Sequence, residues 1–229
     1  RRPRRGGTPW PRPPRETGRP APLVLCGALT PAAAAAGGGP PLFTLTAGDG
    51  DADDEFGASL AIDSSLLLVG AARDEPLGIG SGSAYLFDLN TGAQLRKLVP
   101  ADGEQFDWFG TAVAIDTAYL VVGAIYDDDA GGNAGAAYVY ETATGNPVVK
   151  LLAPDGSASD AFGSAVAVEG TTALVASPLD DPPTNLGGVY IFDLPAGTLR
   201  FKLVPADNLS DNQFGFSVAV DGNTAGIGA

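Results

Sequence analysis

From Phe43 onward, apolar residues fall in short runs of four to seven, broken by turn residues. The first group reads "FGASLAI", "LLLVGAA", "SAYLFD" and "QLRKLV". The second reads "FGTAVAI", "YLVVGAI", "AAYVYE" and "PVVKLL", and the third "FGSAVAV", "TALVAS", "GVYIFD" and "LRFKLV". Turn signals separate them, "DSS", "DTA" and "EGT" after the first run and "NTG", "ATG" and "PAG" after the third. No stretch holds a 3.6-residue apolar period, so the pattern predicts strands throughout.

The runs repeat in register. "EFGASLAID", "WFGTAVAID", "AFGSAVAVE" and "QFGFSVAVD" place Phe56, Phe109, Phe162 and Phe214 at spacings of 53, 53 and 52 residues. An Asp stands seven residues before each Phe (Asp49, Asp102, Asp155, Asp207), and a Lys twelve before the last three (Lys97, Lys150, Lys202). Four antiparallel strands per period of this length predict an all-β chain of propeller blades. The predicted blades cover about residues 56–100, 109–153 and 162–204, with a partial one at 214–229, so the chain reads as a fragment of a longer array. Small residues in the first strand suit a crowded axis, and both faces of the third strand are apolar, as a sheet packed between two neighbours requires. The outermost strand carries the Lys, a charge that discourages pairing with other chains. Each Phe is expected to wedge between adjacent blades. The glycine after it (Gly57, Gly110, Gly163, Gly215) is expected to admit close backbone approach or positive φ.

"FGxSVA", then "LLVGA", a Gly-rich loop and "GxAYVF" resemble FG-GAP repeats, the blades of integrin-alpha-type propellers. The resemblance spans Phe43 to Ala229. It implies a binding or adhesion propeller at the cell surface or outside the cell. Many integrin repeats carry a "DxDxDG" calcium loop between their first two strands. Here those loops are only "DSS", "DTA", "EGT" and "DGN", too short and too poor in carboxylates for an ion that takes six to eight oxygens, so the resemblance is to the calcium-poor variety.

Composition changes the picture in two places. The net charge of −14 argues against nucleic acid as a partner, and no apolar run is long enough for a membrane-spanning helix. There is no His, hence no imidazole base or ligand, and Cys26 is the one cysteine. Residues 1–42 hold seven Arg and one Glu, whereas residues 43–229 hold six basic and 26 acidic residues. The Arg/Pro-rich start is expected to be disordered. The "APLVLCGALTPAAAAAGGGPP" that follows has a basic flank and a short apolar run like a degraded secretory signal, interrupted by Pro22 and Pro31.

The acids sort by loop type. Propeller loops that enter a blade share a face with those joining its second and third strands, and nineteen of the 26 acids fall in these two classes. Asp74, Glu75, Asp102, Glu104, Asp107, Asp127, Asp128, Asp129, Asp180 and Asp181 are therefore candidates for a ligand face, with Trp108 as an aromatic beside Asp107 that is either exposed or packed under its loop. In "DGDADDE", Asp49, Asp51 and Asp53 alternate like the first carboxylates of a calcium loop, but Asp54 takes the place of its Gly and Leu60 that of its closing Glu. Calcium is expected to act on this face by screening rather than at a specific site. No nucleophile motif appears, so the expectation is a non-catalytic module that binds a protein or glycan. The alternatives are a purely structural array and the propeller part of a larger secreted enzyme.

Overall fold

The computed structural model describes residues 23–25, 43–180, 185–206 and 212–229. Among these the chain is all-β. The strands are β1 (Leu23–Leu25), β2 (Phe43–Leu45), β3 (Ser59–Asp63), β4 (Leu66–Ala71), β5 (Ser83–Asp88), β6 (Ala93–Leu98), β7 (Phe109–Ile115), β8 (Tyr119–Ala124), β9 (Ala136–Glu141) and β10 (Pro147–Leu151). They continue with β11 (Val166–Glu169), β12 (Thr172–Ser177), β13 (Gly188–Asp193), β14 (Thr198–Leu203), β15 (Ser217–Asp221) and β16 (Thr224–Gly228). Strands β3–β6, β7–β10 and β11–β14 form three four-stranded antiparallel sheets in simple up-and-down order, and β15–β16 are the first two strands of a fourth. No described helix is long and apolar enough to cross a membrane.

The sheets are propeller-like blades because their cores lie between them rather than within them. Val113 and Ile115 of β7 join Leu68, Ala84 and Leu86 of the preceding sheet in one cluster, and Val166 and Val168 of β11 join Val121, Ala137 and Val139 in the next. The same first-strand positions in β3 are Leu60 and Ile62. No preceding described sheet covers them, and Ile62 is 58% exposed where Ile115 is 8%. Alternating apolar residues here are thus a demand of the neighbouring blade, not of the sheet that carries them.

The Phe of each FG pair sits as expected. Phe109 and Phe162 are fully buried, each edge-on to two rings of the third strand: Phe109 to Tyr138 and Tyr140, Phe162 to Tyr190 and Phe192. Phe56 meets Tyr85 and Phe87 in the same way but is only partly buried, and Phe214 packs partly buried against the last described core.

Backbone contact joins the blades. Gly82, Gly135 and Gly187, just before each third strand, bridge in parallel to Phe109, Phe162 and Phe214 of the next blade. At Gly135, φ is +87° and an added Cβ would lie 2.1 Å from the carbonyl oxygen of Phe162. Gly110 and Gly163 answer from the other side, since a Cβ on Gly70 or Gly123 would strike their carbonyl oxygens. On the opposite end of the blades, first-turn acids latch the following turn. The Asp63 carboxylate accepts from the Thr117 hydroxyl, that of Asp116 from the Gly170 N–H, and that of Glu169 from the Gly222 N–H.

Strand β2 stands 53 residues before β6, and Leu45 packs against the first blade. Its partner β1 lies within the leader that composition marks as disordered, a strand the sequence pattern does not predict. The rest of that leader, residues 1–22 and 26–42, lies outside the described residues.

Gly135→Ala should cost at least about 2 kcal/mol, from a backbone clash and a strained φ together. Gly132→Ala, three residues away with nothing within 4 Å of an added Cβ, should stay within about 0.5 kcal/mol of the parent. Urea unfolding of the two variants side by side checks this; equal losses would mean that the inter-blade approach is not tight.

Candidate functional site

The acidic end of each blade is organised by one buried polar cluster, repeated three times. In the second blade the Tyr138 hydroxyl donates to Asp127 at 2.6 Å, and the Lys150 ammonium lies 2.8 Å from Asp127, 3.0 Å from Asp102 and 2.5 Å from Asp129. In the first, Tyr85 donates to Asp74 at 2.7 Å and Asp49 at 3.1 Å, and Lys97 reaches the same two carboxylates at 2.7 and 2.6 Å. In the third, Tyr190 and Lys202 share Asp155 and Asp180 in the same way. Register builds the group. Each Lys is the cross-strand partner of its Tyr (Tyr85–Lys97, Tyr138–Lys150, Tyr190–Lys202), so the ammonium lies over the ring, 4.9 to 5.3 Å from its centroid.

This corrects the reading of the lysines as edge charges facing water. They are half-buried cross-links that tie the entry loop of a blade to the loop between its second and third strands. The same contacts establish that the two loop classes share a face.

A second buried carboxylate precedes each FG pair, in "DEFG", "DWFG" and "DAFG". Asp54, Asp107 and Asp160 fold back to accept the N–H of Asp51, Glu104 and Ser157. Their own carbonyls accept the N–H of Arg73, Tyr126 and Leu179 in the neighbouring loop. The residue between Asp and Phe takes φ of +57°, +55° and +57° at Glu55, Trp108 and Ala161. This Asp-x-Phe-Gly spacing is present in the sequence, but nothing in the local pattern separates these acids from the exposed acids of the same loops.

The structure therefore divides the candidate ligand face. Asp74, Asp107, Asp127 and Asp180 are buried and hold loops together, so they are not a surface for a ligand. Glu75, Asp102, Glu104, Asp128 and Asp129 are exposed, although Asp102 and Asp129 also pair with Lys150. Asp181 lies outside the described residues. Trp108 is half-buried, edge-on to Tyr126 with the Arg73 guanidinium over its ring, so it packs under its loop; the exposed aromatic of that entry loop is Phe106. The "DGDADDE" acids do not converge. Asp49 is bound to Tyr85 and Lys97, and the Asp51 N–H is turned toward Asp54. Among the described residues no group of three or more metal-ligating side chains is placed to hold an ion.

Comparison with family models agrees with this geometry. A model described as FG-GAP repeat matches residues 43–87, 93–140, 146–192 and 198–229. The chain belongs to the FG-GAP repeat family. Each match begins at an outermost strand, which makes β2 the leading strand of the first FG-GAP unit. The family's repeats point to a propeller of the binding and adhesion type. No curated protein matches the chain.

The two kinds of clustered acid respond oppositely to pH. Burial alone would raise the Asp74 carboxyl; hydrogen bonds from Lys97 and Tyr85 more than offset this and hold it below the usual range. Asp102 and Asp155 are lowered likewise, by Lys150 and Lys202. The stability these three contribute is present above the unfolded value of 3.8 and is lost as pH falls through their lower folded values. At Asp107, burial outweighs the Glu104 N–H and, with the charges of Asp127 and Asp128, pushes the carboxyl up to about 6. A raised folded value has the reverse sign: its relative stabilisation is complete below 3.8 and is lost as pH rises through about 6.

Asp107→Asn keeps an acceptor for the Glu104 N–H, and the fourth copy already carries Asn212 at this place. The variant should melt higher than the parent at pH 7.5 and show a smaller loss of stability between about pH 4 and 6. Scanning calorimetry across that range checks it, and identical pH profiles would show that Asp107 titrates normally. Lys150→Met should cost about 3–5 kcal/mol, because Asp127 is then left buried without its cation.

Proposed function

We propose that the chain is a non-catalytic binding module of an extracellular or cell-surface protein, and that it presents the exposed part of its acidic loop face to a protein or glycan ligand. The observation that carries this reading is an asymmetry in what the acids do. On the opposite end of the blades, acids are engaged in turns: Asp63, Asp116 and Glu169 latch the next blade, Asp88 accepts from Asn90 and Thr91, Glu141 from Thr144, and Asp193 pairs with Arg200. On the proposed face, the loops are held by the buried clusters, and Asp51, Asp53, Glu104 and Asp128 stand exposed above them. A rigid platform with outward carboxylates favours recognition with little ordering cost.

The direct test compares two neutralised triplets on arrays of immobilised peptides and glycans. Glu75→Gln/Glu104→Gln/Asp128→Asn should lose binding at least tenfold, whereas Asp88→Asn/Glu141→Gln/Asp221→Asn on the other end should not. Equal effects of the two sets would refute the face assignment.

Calcium should act here only by screening. Titration calorimetry in about 0.15 M salt should show no saturable heat, and Asp51→Asn/Asp53→Asn should leave the melting temperature's response to calcium unchanged. A saturable site abolished by the double variant would reverse this.

A further inference from the structure

The repeats supply an internal control. The loop Asp74–Gly82 and the loop Asp127–Gly135 have the same length and the same backbone. Gly78 and Gly131 have φ of +135° and +144°, Gly80 and Asn133 +63° and +59°, and Phe106 and Ser159 +73° and +74°. The Phe106 N–H donates to the Ile79 carbonyl as the Ser159 N–H donates to that of Gly132. Their side chains differ. At the first junction stand Leu77, Ile79 and Phe106; the matching residues at the second are Ala130, Gly132 and Ser159.

Leu77, Ile79 and Phe106 are 47%, 39% and 53% exposed. The second junction folds identically without them, so the loop does not need them. Both copies hold a non-glycine residue at positive φ, but the second fills that place with a small polar side chain rather than a bulky exposed ring. The three side chains straddle one seam. Leu77 reaches Gly103 of the entry loop, Phe106 lies against Gly80, and Ile79 is the backbone partner of Phe106. Exposed Glu75 and Glu104 each stand two residues from the patch in sequence, and Asp102 is nearby in the same entry loop. Arg73, the basic residue of these loops, is neutralised by Glu55 at 2.9 Å and stacked over Trp108.

The geometry points to a peptide-docking site at this seam, for a partner segment that carries one large apolar or aromatic side chain flanked by Arg or Lys. The inference deepens the proposed function and rests on its acidic face. The apolar side chains supply the anchor contact. The carboxylate rim selects basic flanks, because a like-charged segment would be repelled and a neutral one would gain nothing from it. Anchor plus rim distinguishes this seam from the second junction, which has the acids Asp128 and Asp129 but no anchor.

Fluorescence anisotropy with three labelled probes tests it: Gly-Ser peptides centred on Arg-Trp-Arg, Arg-Ser-Arg or Glu-Trp-Glu. The Arg-Trp-Arg probe should bind the full chain at least tenfold more tightly than either of the others. Leu77→Ala/Ile79→Gly/Phe106→Ser, which installs the second junction's own residues, should weaken it at least tenfold without lowering the melting temperature. The reverse graft, Ala130→Leu/Gly132→Ile/Ser159→Phe, should raise the stoichiometry from one to two. The proposal is overturned if the triple variant binds Arg-Trp-Arg unchanged, if Glu-Trp-Glu binds as well, or if no probe binds at millimolar concentration. Concentration-dependent dimerisation abolished by the triple variant would assign the seam to a second copy and overturn it too. If array binding survives the patch variant but is lost on neutralising Glu75, Glu104 and Asp128, the patch falls and the face reading stands. If neither variant affects it, both fall.

Discussion

The structure depends on how closely one blade's backbone approaches the next. Where Gly135 bridges to Phe162 there is no room for a single methyl group, and the same is true at Gly82 and Gly187. Contact this tight fixes both the spacing and the rotation of adjacent sheets. It also places the Phe ring against the aromatic residues of its own third strand, so the inter-blade core and the backbone bridge are two parts of one constraint. Close-packed interiors leave little tolerance for error at such a contact, and this explains why glycine recurs there in three copies.

With the blades fixed, the loop ends still need a scaffold, because loops of this composition have almost nothing apolar to bury. The chain answers with charge. Each Lys-Tyr pair on the two outer strands projects an ammonium and a hydroxyl to the rim, and two or three carboxylates from separate loops close around them. A lone buried carboxylate would be costly; one with a cation and two hydrogen bonds is not. The Asp of Asp-x-Phe-Gly then fixes the entry turn just before the wedge. Stiff loops follow from these two polar devices, and the exposed acids and apolar side chains ride on them.

Much of the fold was legible because it is periodic. Phe56, Phe109 and Phe162 repeat with their glycines, and the offsets mark four antiparallel strands per period. The role of individual acids was harder to see. Asp127, Asp128 and Asp129 are adjacent and chemically identical, yet the first is buried under Tyr138 while its neighbours are exposed. Lys150 reaches Asp129 as well as Asp127; of the three, Asp127 is the one that accepts from the Tyr138 hydroxyl, and that contact is a tertiary fact. Trp108 and Phe106 show the same limit. Both are aromatic, two residues apart and at positive φ, yet Trp108 packs beside Tyr126 and Arg73 while Phe106 stays exposed, and those contacts are tertiary.

Repetition also alters what counts as evidence for function. In a non-repeating protein, an exposed Phe or Leu is ordinary and carries no message. Here each residue is compared with copies of itself in the same backbone and under the same packing demands. Positions that agree, such as Asp74, Asp127 and Asp180, are explained by the fold they share. Those that differ while the backbone stays the same, such as Phe106 against Ser159 and Ile79 against Gly132, are released from that explanation. Because blade geometry does not require the apolar residues at the first seam, whatever keeps them there acts from outside the fold, and a surface with a carboxylate rim and an apolar centre is built to be covered by a basic segment with an apolar anchor.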